Sequence, residues 1–270
     1  MKPEVQRYRD LETLSRMAAE FVCTSIEKWV AQRGTVTVAL AGGKTPKLLY
    51  QNLTRPPLGR RMPWSRIHFF WGDERCVSRD HPESNFGMAF RAMISRAPLP
   101  IQNIHPVPTE VSPPEKAAEA YEKNLREFFG SSVEVDGRQA TAAESSRFPT
   151  FDLILLGIGK DGHTASLFPE DKALRETKRW VAAVKKPHGS PAVPRVTLTL
   201  RVINRAKCVL FLVSGAEKRD VIRSILDDPE RARRLYPAAM VRPEGRTLWM
   251  LDEGTAGRDP NPDSNPYLSD

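Results

Sequence analysis

The sequence has few cysteines and no long apolar run, and both features exclude certain classes of protein. Its three cysteines, Cys23, Cys76 and Cys208, lie far apart and never form a C-x-x-C pair. A disulfide framework and a cysteine-rich zinc site are therefore disfavoured, and a reducing compartment is expected. No apolar stretch approaches the roughly 18 residues that a membrane helix needs, and the start, MKPEVQRYRD, lacks the apolar segment of a signal peptide. We therefore expect a cytoplasmic protein that does not contact a membrane.

The sequence also lacks a cluster of basic residues, although it is basic overall. It has 41 Lys and Arg against 33 Asp and Glu, which gives a formal net charge of +8 at pH 7. The positive residues are scattered, and the densest group consists of Arg231, Arg233 and Arg234. Because a nucleic-acid surface needs basic residues gathered on one face, a solvated basic surface is favoured and no nucleic-acid partner is expected. Such a surface also attracts a small anionic substrate.

The length of 270 residues suits either one large domain or two small ones. An apolar fraction of 40% supplies a sizeable core, and no shift in composition marks a domain boundary. Residues 130–149 are polar, and the end of the chain is rich in Pro, Asn and Asp. We therefore predict one domain over residues 1–257 and a flexible tail over residues 258–270.

Short apolar runs alternate with helical patterns along the chain. The patterns predict helices over residues 10–33, 46–50, 84–94, 115–129 and 216–226, and buried strands over residues 36–40, 67–71, 151–156, 180–184, 196–200, 208–213 and 247–251. Continuous apolar strands separated by helices are typical of a parallel sheet that is covered on both faces. The predicted fold class is therefore α/β, a single domain with a mostly parallel sheet and helices on both faces.

A glycine turn with the sequence Ala-Gly-Gly-Lys-Thr-Pro, residues 41–46, directly follows the predicted strand 36–40. Its two glycines let the backbone approach an anion, its lysine and threonine add donors, and its proline suits the first turn of a helix. A Walker A loop would need a glycine where Val38 stands, so a nucleotide triphosphate does not fit. The turn predicts a site for a single phosphate at a helix N-terminus.

A second glycine turn, Gly157-Ile-Gly-Lys-Asp-Gly162, follows the predicted strand 151–156 and matches G-x-G-x-x-G. A dinucleotide site also needs an acidic residue at the end of the next strand, but the predicted strand 180–184 is followed by Lys185 and Lys186. We therefore expect no nucleotide cofactor.

His163 lies between this second turn and a predicted helix. A histidine in that position either faces a ligand as a general base or acid, or only bonds to its own loop.

Three further charged segments lie at strand ends. Asp73 and Glu74, beside Arg75, either face a substrate or form a surface ion pair. Arg195 precedes the predicted strand 196–200, and Lys218 comes shortly after the strand 208–213. Together with the first glycine turn, these last two cations would complete a phosphate site.

Five strings occur in one order along almost the whole chain: LAGGKTP, IHFFWGDERCVSRDHPESNFGMA, FDLILLGIGKDGHTASLFP, PRVTLTL and FLVSGAEK. In this order they resemble the 6-phosphogluconolactonases, a family whose fold is shared with glucosamine-6-phosphate deaminases. The resemblance implies a Rossmann-like fold of the NagB/RpiA/CoA transferase type. It also implies hydrolysis of 6-phospho-D-glucono-1,5-lactone to 6-phospho-D-gluconate, the second step of the oxidative pentose phosphate pathway, without a cofactor or a metal.

The matching positions imply a role for each candidate residue. His163 would be the base that activates water, with Asp161 near it, and Asp73 and Arg75 would line the sugar and lactone end. The residues that would hold the phosphate are Gly42, Gly43, Lys44, Thr45, Arg195 and Lys218. Lys44 stands where the family more often has a serine, so the role of its side chain stays open. The implied partner is the sugar-phosphate lactone, and the expected assembly is a monomer or a weak homo-oligomer.

Hydrolysis of a lactone is compatible with these candidate residues. A δ-lactone is a reactive ester, so a positioned water and a base suffice, and the sequence has no G-x-S-x-G elbow of a serine hydrolase. Charge on the carbonyl oxygen needs donors, which backbone N–H groups of the second turn or Arg75 would supply. Two alternatives stay open. The first is an aldose–ketose isomerase or deaminase of an amino-sugar phosphate, which would open the sugar ring and transfer a proton at carbon; a deaminase would release ammonia from glucosamine 6-phosphate. The second is a nucleic-acid-binding module, which would retain DNA in a salt-dependent way.

Overall fold

The fold comes from a computed structural model, which describes residues 4–131, 134–135, 138–139, 148–185 and 192–257. Most of the polar segment 130–149, Lys186 and the expected tail 258–270 lie outside the described residues. The strands are β1 Glu4–Tyr8, β2 Val36–Leu40, β3 Ile67–Trp71, β4 Asp73–Arg75, β5 Glu134–Val135, β6 Arg138–Gln139, β7 Leu153–Leu156, β8 Val181–Val184, β9 Arg195–Leu198, β10 Cys208–Val213 and β11 Arg246–Asp252. The helices are α1 Leu11–Arg33, α2 Lys44–Thr54, α3 Leu58–Arg61, α4 Asn85–Ala92, α5 Pro114–Ser131, α6 Leu200–Ile203, α7 Arg219–Asp227, α8 Pro229–Leu235 and α9 Glu253–Ala256.

The main sheet is parallel and has the strand order β1-β11-β10-β7-β2-β3. From β2 the chain proceeds to β3 at one edge, whereas from β7 it proceeds through β10 and β11 towards the other edge. The order therefore reverses between the neighbouring strands β2 and β7. Ligands of open α/β sheets bind at such a switch point, outside the carboxyl ends of the strands. The predicted fold class, a single α/β domain with a mostly parallel sheet, is confirmed.

The predicted helices and strands occur with small shifts at their ends, except for the helix expected after His163. Helix α1 begins where the Asp10 carboxylate accepts the N–H of Thr13 at 2.7 Å, and it ends at Gly34, whose φ of 81° suits glycine. Strand β1 was not predicted because its sequence, EVQRY, is polar and has no apolar run. It forms the edge of the sheet, where its residues pair with β11 on one side only.

A second, antiparallel sheet has the order β4-β9-β8. Two of the strands predicted for the parallel sheet, 180–184 and 196–200, belong to this smaller sheet instead. Lys185 therefore does not follow a strand of the parallel sheet, and the argument that it replaces a ribose-binding acid is wrong. The expectation of no nucleotide cofactor must rest on the glycine turn itself.

Buried tyrosines fix the ends of two central strands. The Tyr50 hydroxyl accepts the N–H of Ala41 at 3.0 Å and donates to its carbonyl at 2.8 Å, directly after β2. The Tyr121 hydroxyl does the same for Trp71, at 2.9 and 3.0 Å, at the end of β3. Both strand ends are thus held from the core, which gives the following loops rigid starting points. Within the described residues, no helix is long and apolar enough to cross a membrane.

Candidate functional site

One pocket lies at the carboxyl edge of the parallel sheet, over the switch point between β2 and β7. It contains nine of the ten site residues expected from the sequence: Gly42, Gly43, Lys44, Thr45, Asp73, Arg75, His163, Arg195 and Lys218. The tenth, Asp161, contacts His163 directly. The residues that sequence analysis assigned to one site are therefore brought together, although up to 176 positions separate them along the chain, 218 − 42 = 176.

The first glycine turn leads straight into a helix. Helix α2 begins at Lys44, two residues before the predicted start, and no side chain caps it. Gly43 precedes it with a φ of 106°, a conformation that favours glycine. An uncapped helix start presents unused N–H groups and the positive end of the helix dipole. Such a helix start is suited to an anion, and the phosphate site stays a prediction.

Asn85, which sequence analysis missed, packs against this first turn. A Cβ on Gly42 would overlap the Asn85 side-chain amide. That amide donates to the Asp73 carbonyl oxygen at 2.9 Å and to the Asp73 carboxylate at 3.3 Å. Asn85 is 2% exposed and lines the pocket. The serine before it marks a helix start in the sequence, but no sequence signal marks its contact with Gly42 and Asp73.

The second glycine turn closes on itself instead of opening a helix. The Gly159 N–H donates to the His163 carbonyl at 2.9 Å, and the Gly162 N–H donates to the Gly159 carbonyl at 3.0 Å. Gly162 has a φ of 79°, which glycine alone adopts readily. The helix expected after His163 is wrong, since residues 164–185 are all described and contain no α-helix. A dinucleotide fingerprint needs a helix N-terminus for the pyrophosphate, so this turn does not form one.

A segment from the far end of the chain supports the second turn from outside. The Ala238 N–H donates to the Gly162 carbonyl at 3.0 Å. Tyr236 packs so closely that a Cβ on Gly162 would collide with it. Since both contacts come from residues after helix α8, the turn that carries His163 is held from two sides.

His163 and Asp161 form a hydrogen-bonded pair. The distance between His163 Nδ1 and an Asp161 carboxylate oxygen is 2.5 Å, and the His163 N–H donates to the same oxygen at 3.2 Å. Burial raises the pKa of Asp161, but hydrogen bonds and the charge of His163 outweigh burial and lower it below the usual value. An ionised carboxylate only accepts hydrogen bonds, so Nδ1 carries the proton and Nε2 of the neutral ring is the free acceptor.

Two arginines lie side by side in the small sheet. Arg75 on β4 and Arg195 on β9 are directly paired in the antiparallel register. Arg75 is anchored by a 2.5 Å hydrogen bond from Nη1 to the Glu83 carbonyl. The Arg195 guanidinium lies 5.5 Å from the centre of the Phe168 ring, and that ring also contacts the His163 ring at 4.5 Å. Like charges in cross-strand register repel each other, so an anion between them would stabilise this arrangement.

Burial reduces the basicity of two pocket cations. It lowers the pKa of Arg195, against the opposing charge of Asp73. It also lowers the pKa of Lys218, whose ammonium donates to the Ser214 carbonyl at 2.9 Å. The protein groups around these cations do not offset the cost of burying them. A bound anion would raise both pKa values again.

The two carboxylates after β3 have different environments, which sequence analysis left open. Asp73 faces the pocket and accepts a hydrogen bond from the Ser166 hydroxyl at 2.6 Å. Glu74 turns away, is 2% exposed, and accepts the N–H groups of Arg75, Asn85 and Phe86 at 2.7–2.8 Å. Burial raises the pKa of Glu74 to about 7. Glu74 therefore holds the start of α4 and does not line the pocket.

Within the described part of the chain, no group of three or more His, Cys, Asp and Glu side chains is arranged to hold a metal ion. The fold and the pocket define an α/β protein with an uncapped helix start and a histidine–aspartate pair at one pocket. Residues 9–249 match the family model for glucosamine-6-phosphate isomerases and 6-phosphogluconolactonases. The chain belongs to this family.

Several relatives at 30% identity or more are named 6-phosphogluconolactonases. The chain is 44% identical to a 6-phosphogluconolactonase of Synechocystis over 94% of its own length and 97% of the relative. A crystal structure of 6-phosphogluconolactonase from Thermotoga maritima superposes with a TM-score of 0.75 at 36% identity, covering 93% of this chain and all of that one. The 6-phosphogluconolactonase from Trypanosoma cruzi gives a TM-score of 0.79 at 32% identity, covering 94% and 96%. The resemblance to lactonases expected from the sequence is confirmed.

Proposed function

We propose that the protein hydrolyses 6-phospho-D-glucono-1,5-lactone to 6-phospho-D-gluconate. The observation that carries the proposal is the hydrogen-bonded pair of His163 and Asp161 in the same pocket as the uncapped start of α2. The start of α2 is suited to binding a phosphate, and the His163–Asp161 pair is suited to removing a proton from water. The names of the relatives support the same activity.

In the proposed mechanism, His163 is the general base. Asp161 fixes the proton on Nδ1, so that Nε2 takes a proton from a water molecule as its oxygen attacks C1 of the lactone. The tetrahedral intermediate then collapses, and the bond between C1 and the ring oxygen breaks. The proton held by Nε2 passes to the departing ring oxygen, which becomes the hydroxyl at C5 of the open acid. His163 and water are the only proton carriers that this sequence of steps requires.

In this proposal, Arg75 stabilises the oxyanion of the tetrahedral intermediate. The N–H groups of Gly159, Gly162 and His163 all have acceptors inside the second turn. Of the two donor sets considered from the sequence, we favour Arg75, because it lines the pocket and is anchored on Glu83. Positioned cationic donors of this kind stabilise developing negative charge without reorganisation.

The phosphate end of the substrate would lie at the start of α2. Its contacts would be the backbone of Gly42 and Gly43, Thr45, and the cations Arg195 and Lys218. Because the phosphate is remote from C1, its binding energy fixes the orientation of the lactone rather than altering its reactivity. Asp73, held by Ser166 and Asn85, would accept hydrogen bonds from the sugar hydroxyls.

The test is a lactonase assay on freshly prepared 6-phosphogluconolactone, with spontaneous hydrolysis subtracted. We expect enzymatic turnover that gluconolactone without the phosphate supports poorly. Glucosamine 6-phosphate is the second substrate, and we expect no ammonia from it. Ammonia release without lactone hydrolysis would replace this proposal with a deaminase.

A location and an assembly state complete the proposal. We propose that the protein acts in the cytoplasm, as the three widely spaced cysteines suggest, and that it is a monomer or weak homo-oligomer. Cell fractionation and sedimentation of the purified protein test these two points.

A further inference from the structure

Asn85, the first residue of helix α4, carries a buried amide that lines the pocket. Its Nδ2 donates to the Asp73 carbonyl oxygen at 2.9 Å and to an Asp73 carboxylate oxygen at 3.3 Å. A carbonyl oxygen only accepts hydrogen bonds, so the amide nitrogen and not the amide oxygen must face Asp73. The amide therefore has one orientation, with its donors directed at a single neighbour.

The protein holds Asn85 in this position through its backbone and its side chain. The Asn85 N–H donates to the buried Glu74 carboxylate at 2.7 Å. The Ser84 hydroxyl caps the same helix start by accepting the Gly87 N–H at 3.0 Å. The amide also fills the space beside Gly42 so closely that a Cβ there would overlap it. Asn85 is therefore a rigid support that needs no ligand to order it.

The two oxygens of the Asp73 carboxylate have different donors. One accepts from the Asn85 amide, and the other accepts from the Ser166 hydroxyl at 2.6 Å. Ser166 belongs to the loop after His163, so two separate segments fix the carboxylate. Each oxygen of an ionised carboxylate accepts about two hydrogen bonds, so both oxygens keep capacity for ligand hydroxyls. Without the Asn85 amide, Ser166 alone would hold the carboxylate, which would then be free to rotate about its Cβ–Cγ bond.

We propose that Asn85 is a positioning residue that acts through Asp73 and thereby makes the pocket selective for a polyhydroxylated chain. The Asp73 carboxylate meets the sugar hydroxyls in a fixed plane and binds them without first losing rotational freedom. A plain chain with the same charged ends gains nothing from this arrangement. The inference rests on the place of Asp73 in the proposed function, but neither on the lactone chemistry nor on the phosphate contacts.

Calorimetric titration of Asn85→Ala with two ligands tests this inference. One ligand is 6-phosphogluconate, and the other is 6-(phosphonooxy)hexanoate, which keeps both charged ends and lacks the sugar hydroxyls. Asn85→Ala retains the backbone N–H to Glu74 and leaves a gap, not an overlap, beside Gly42. Its affinity for 6-phosphogluconate should fall by about 5- to 30-fold, as expected for a weakened set of charge-assisted hydrogen bonds. Its affinity for the plain chain should stay within about 2-fold of the wild type, and equal losses on both ligands would overturn the inference.

Asn103→Ala is the matched control. Asn103 is also buried, its Nδ2 donates to the carbonyls of Ser65 at 3.1 Å and Ile67 at 3.0 Å, and it does not line the pocket. This variant removes the same kind of amide and should lower the melting temperature, but affinity for both ligands should stay within about 2-fold. If Asn103→Ala loses as much affinity for 6-phosphogluconate as Asn85→Ala, general loosening of the fold explains both and the inference is wrong.

Asn85→Asp supplies a pH readout that a merely structural role would not move. Burial and the charge of Asp73 raise the pKa of the introduced carboxyl group above its usual value. Ionised at pH 8, this group repels Asp73, whereas its protonated form at lower pH donates to Asp73 again. The loss of affinity for 6-phosphogluconate, relative to the wild type, should therefore be at least about 3-fold smaller at pH 5 than at pH 8.

The surrounding charged groups do not produce this difference, because every variant keeps them. They are Lys44, Glu74, Arg75, His163, Arg195 and Lys218. Asn85→Ala contains the same groups and should show the same relative loss at both pH values. A relative loss in Asn85→Asp that does not change with pH would show that Asn85 does not act through the Asp73 carboxylate.

Failure of this inference can be told apart from failure of the proposed function. If Asn85→Ala loses affinity for 6-phosphogluconate alone, but the wild type does not hydrolyse the lactone, the proposed function is wrong and the role of Asn85 stands. If the wild type hydrolyses the lactone and Asn85→Ala binds 6-phosphogluconate as tightly as the wild type, only the role of Asn85 is wrong. Thermal unfolding curves confirm that each variant is folded at the temperature of the titration.

Discussion

The two glycine turns of the pocket begin alike and end differently. Each follows a buried parallel strand at the switch point of the sheet, β2 in one case and β7 in the other. The turn after β2 passes directly into α2 and leaves the N–H groups of the helix start without a side-chain cap. The turn after β7 bonds its own N–H groups to its own carbonyls, and no α-helix follows within residues 164–185.

The two turns are therefore suited to different roles in the pocket. A helix start with free N–H groups is suited to holding a charged group that does not react. A closed loop is suited to holding one side chain at a defined place, as it does for His163. Variants of the turn after β7 should therefore reduce turnover, whereas variants around the turn after β2 should reduce affinity.

The largest expected effect is that of His163→Asn. An amide cannot take a proton from water, so turnover on 6-phosphogluconolactone should fall by about 10²- to 10⁴-fold. The affinity for 6-phosphogluconate, measured by calorimetry, should stay within about 3-fold of the wild type, because an uncharged ring contributes little to phosphate binding. Retention of more than about a third of the turnover would place the base elsewhere in the pocket, with Asp73 next, since Glu74 does not line it.

Asp161→Asn should have the next largest effect. An amide in place of the carboxylate no longer fixes the proton on Nδ1 of His163, and turnover should fall by roughly 10- to 10³-fold with little change in KM. Asp171→Asn is a suitable control, because Asp171 lies in the same loop and caps only the following short helix. If both variants lose turnover equally, the loop rather than the Asp161–His163 bond is responsible.

Lys218→Ala tests the phosphate side of the comparison. Loss of a half-buried charge-assisted contact costs roughly 1.5–3 kcal/mol, so kcat/KM for the phosphorylated lactone should fall by about 10- to 100-fold. Hydrolysis of unphosphorylated gluconolactone should barely change. Lys172→Ala removes an exposed lysine outside the pocket and serves as the control. An equal loss on both lactones would place Lys218 at the reacting end.

The smallest expected effect concerns the pair His68 and His105, which should influence stability at acid pH but not turnover. His68 Nδ1 and His105 Nε2 lie 3.1 Å apart, packed against Phe70 and Phe128, away from the pocket. Burial lowers the pKa of both histidines, that of His105 to about 4. In the unfolded chain both titrate near 6.5, so their contribution to stability is complete above pH 6.5 and is lost as the pH falls towards 4.

Urea unfolding measures this effect. Between pH 6.5 and pH 4.5 the two histidines should lower the free energy of unfolding by about 1–3 kcal/mol. Glu74 contributes in the opposite direction, because its raised pKa stabilises the fold as the pH falls. His105→Gln removes one titrating group and should flatten this dependence. The pH dependence of turnover above pH 6.5 should be the same in His105→Gln and in the wild type. A changed turnover profile above pH 6.5 in His105→Gln would mean that the pair acts on the pocket.

Several features of the two turns and of the pocket were predictable from the sequence. The position of the first turn, the start of a helix near Pro46 and the placement of His163 and Lys218 at one edge followed from strands that end in glycine turns. Each of these features depends on residues close together in the chain, or on the rule that parallel strands end at the same edge. Arg195 begins a strand of the smaller sheet, so its place in the site came from the family resemblance. The family strings implied the fold type only through the resemblance to the family.

The features that sequence analysis missed or left open depend on contacts between distant segments. Glu74 is one residue from Asp73, yet it binds the start of α4 while Asp73 faces the pocket. Asn85 lies against Gly42, 43 residues away, 85 − 42 = 43. The strands 180–184 and 196–200 were counted with the parallel sheet, but they pair in a separate antiparallel one, and the alternation of residues 196–200 suits that pairing.

The sequence by itself determined where strands, helices and glycine turns lie, because local apolar periodicity and residues such as glycine and proline act within a few positions. It also carried the strings that the family shares. Only the tertiary structure decided which carboxylate faces the ligand, that Arg75 and Arg195 are cross-strand neighbours, and that the second turn closes without a helix. The physical reason is that strand register and hydrogen bonds between remote segments are set when the whole chain packs, and a local pattern does not encode them.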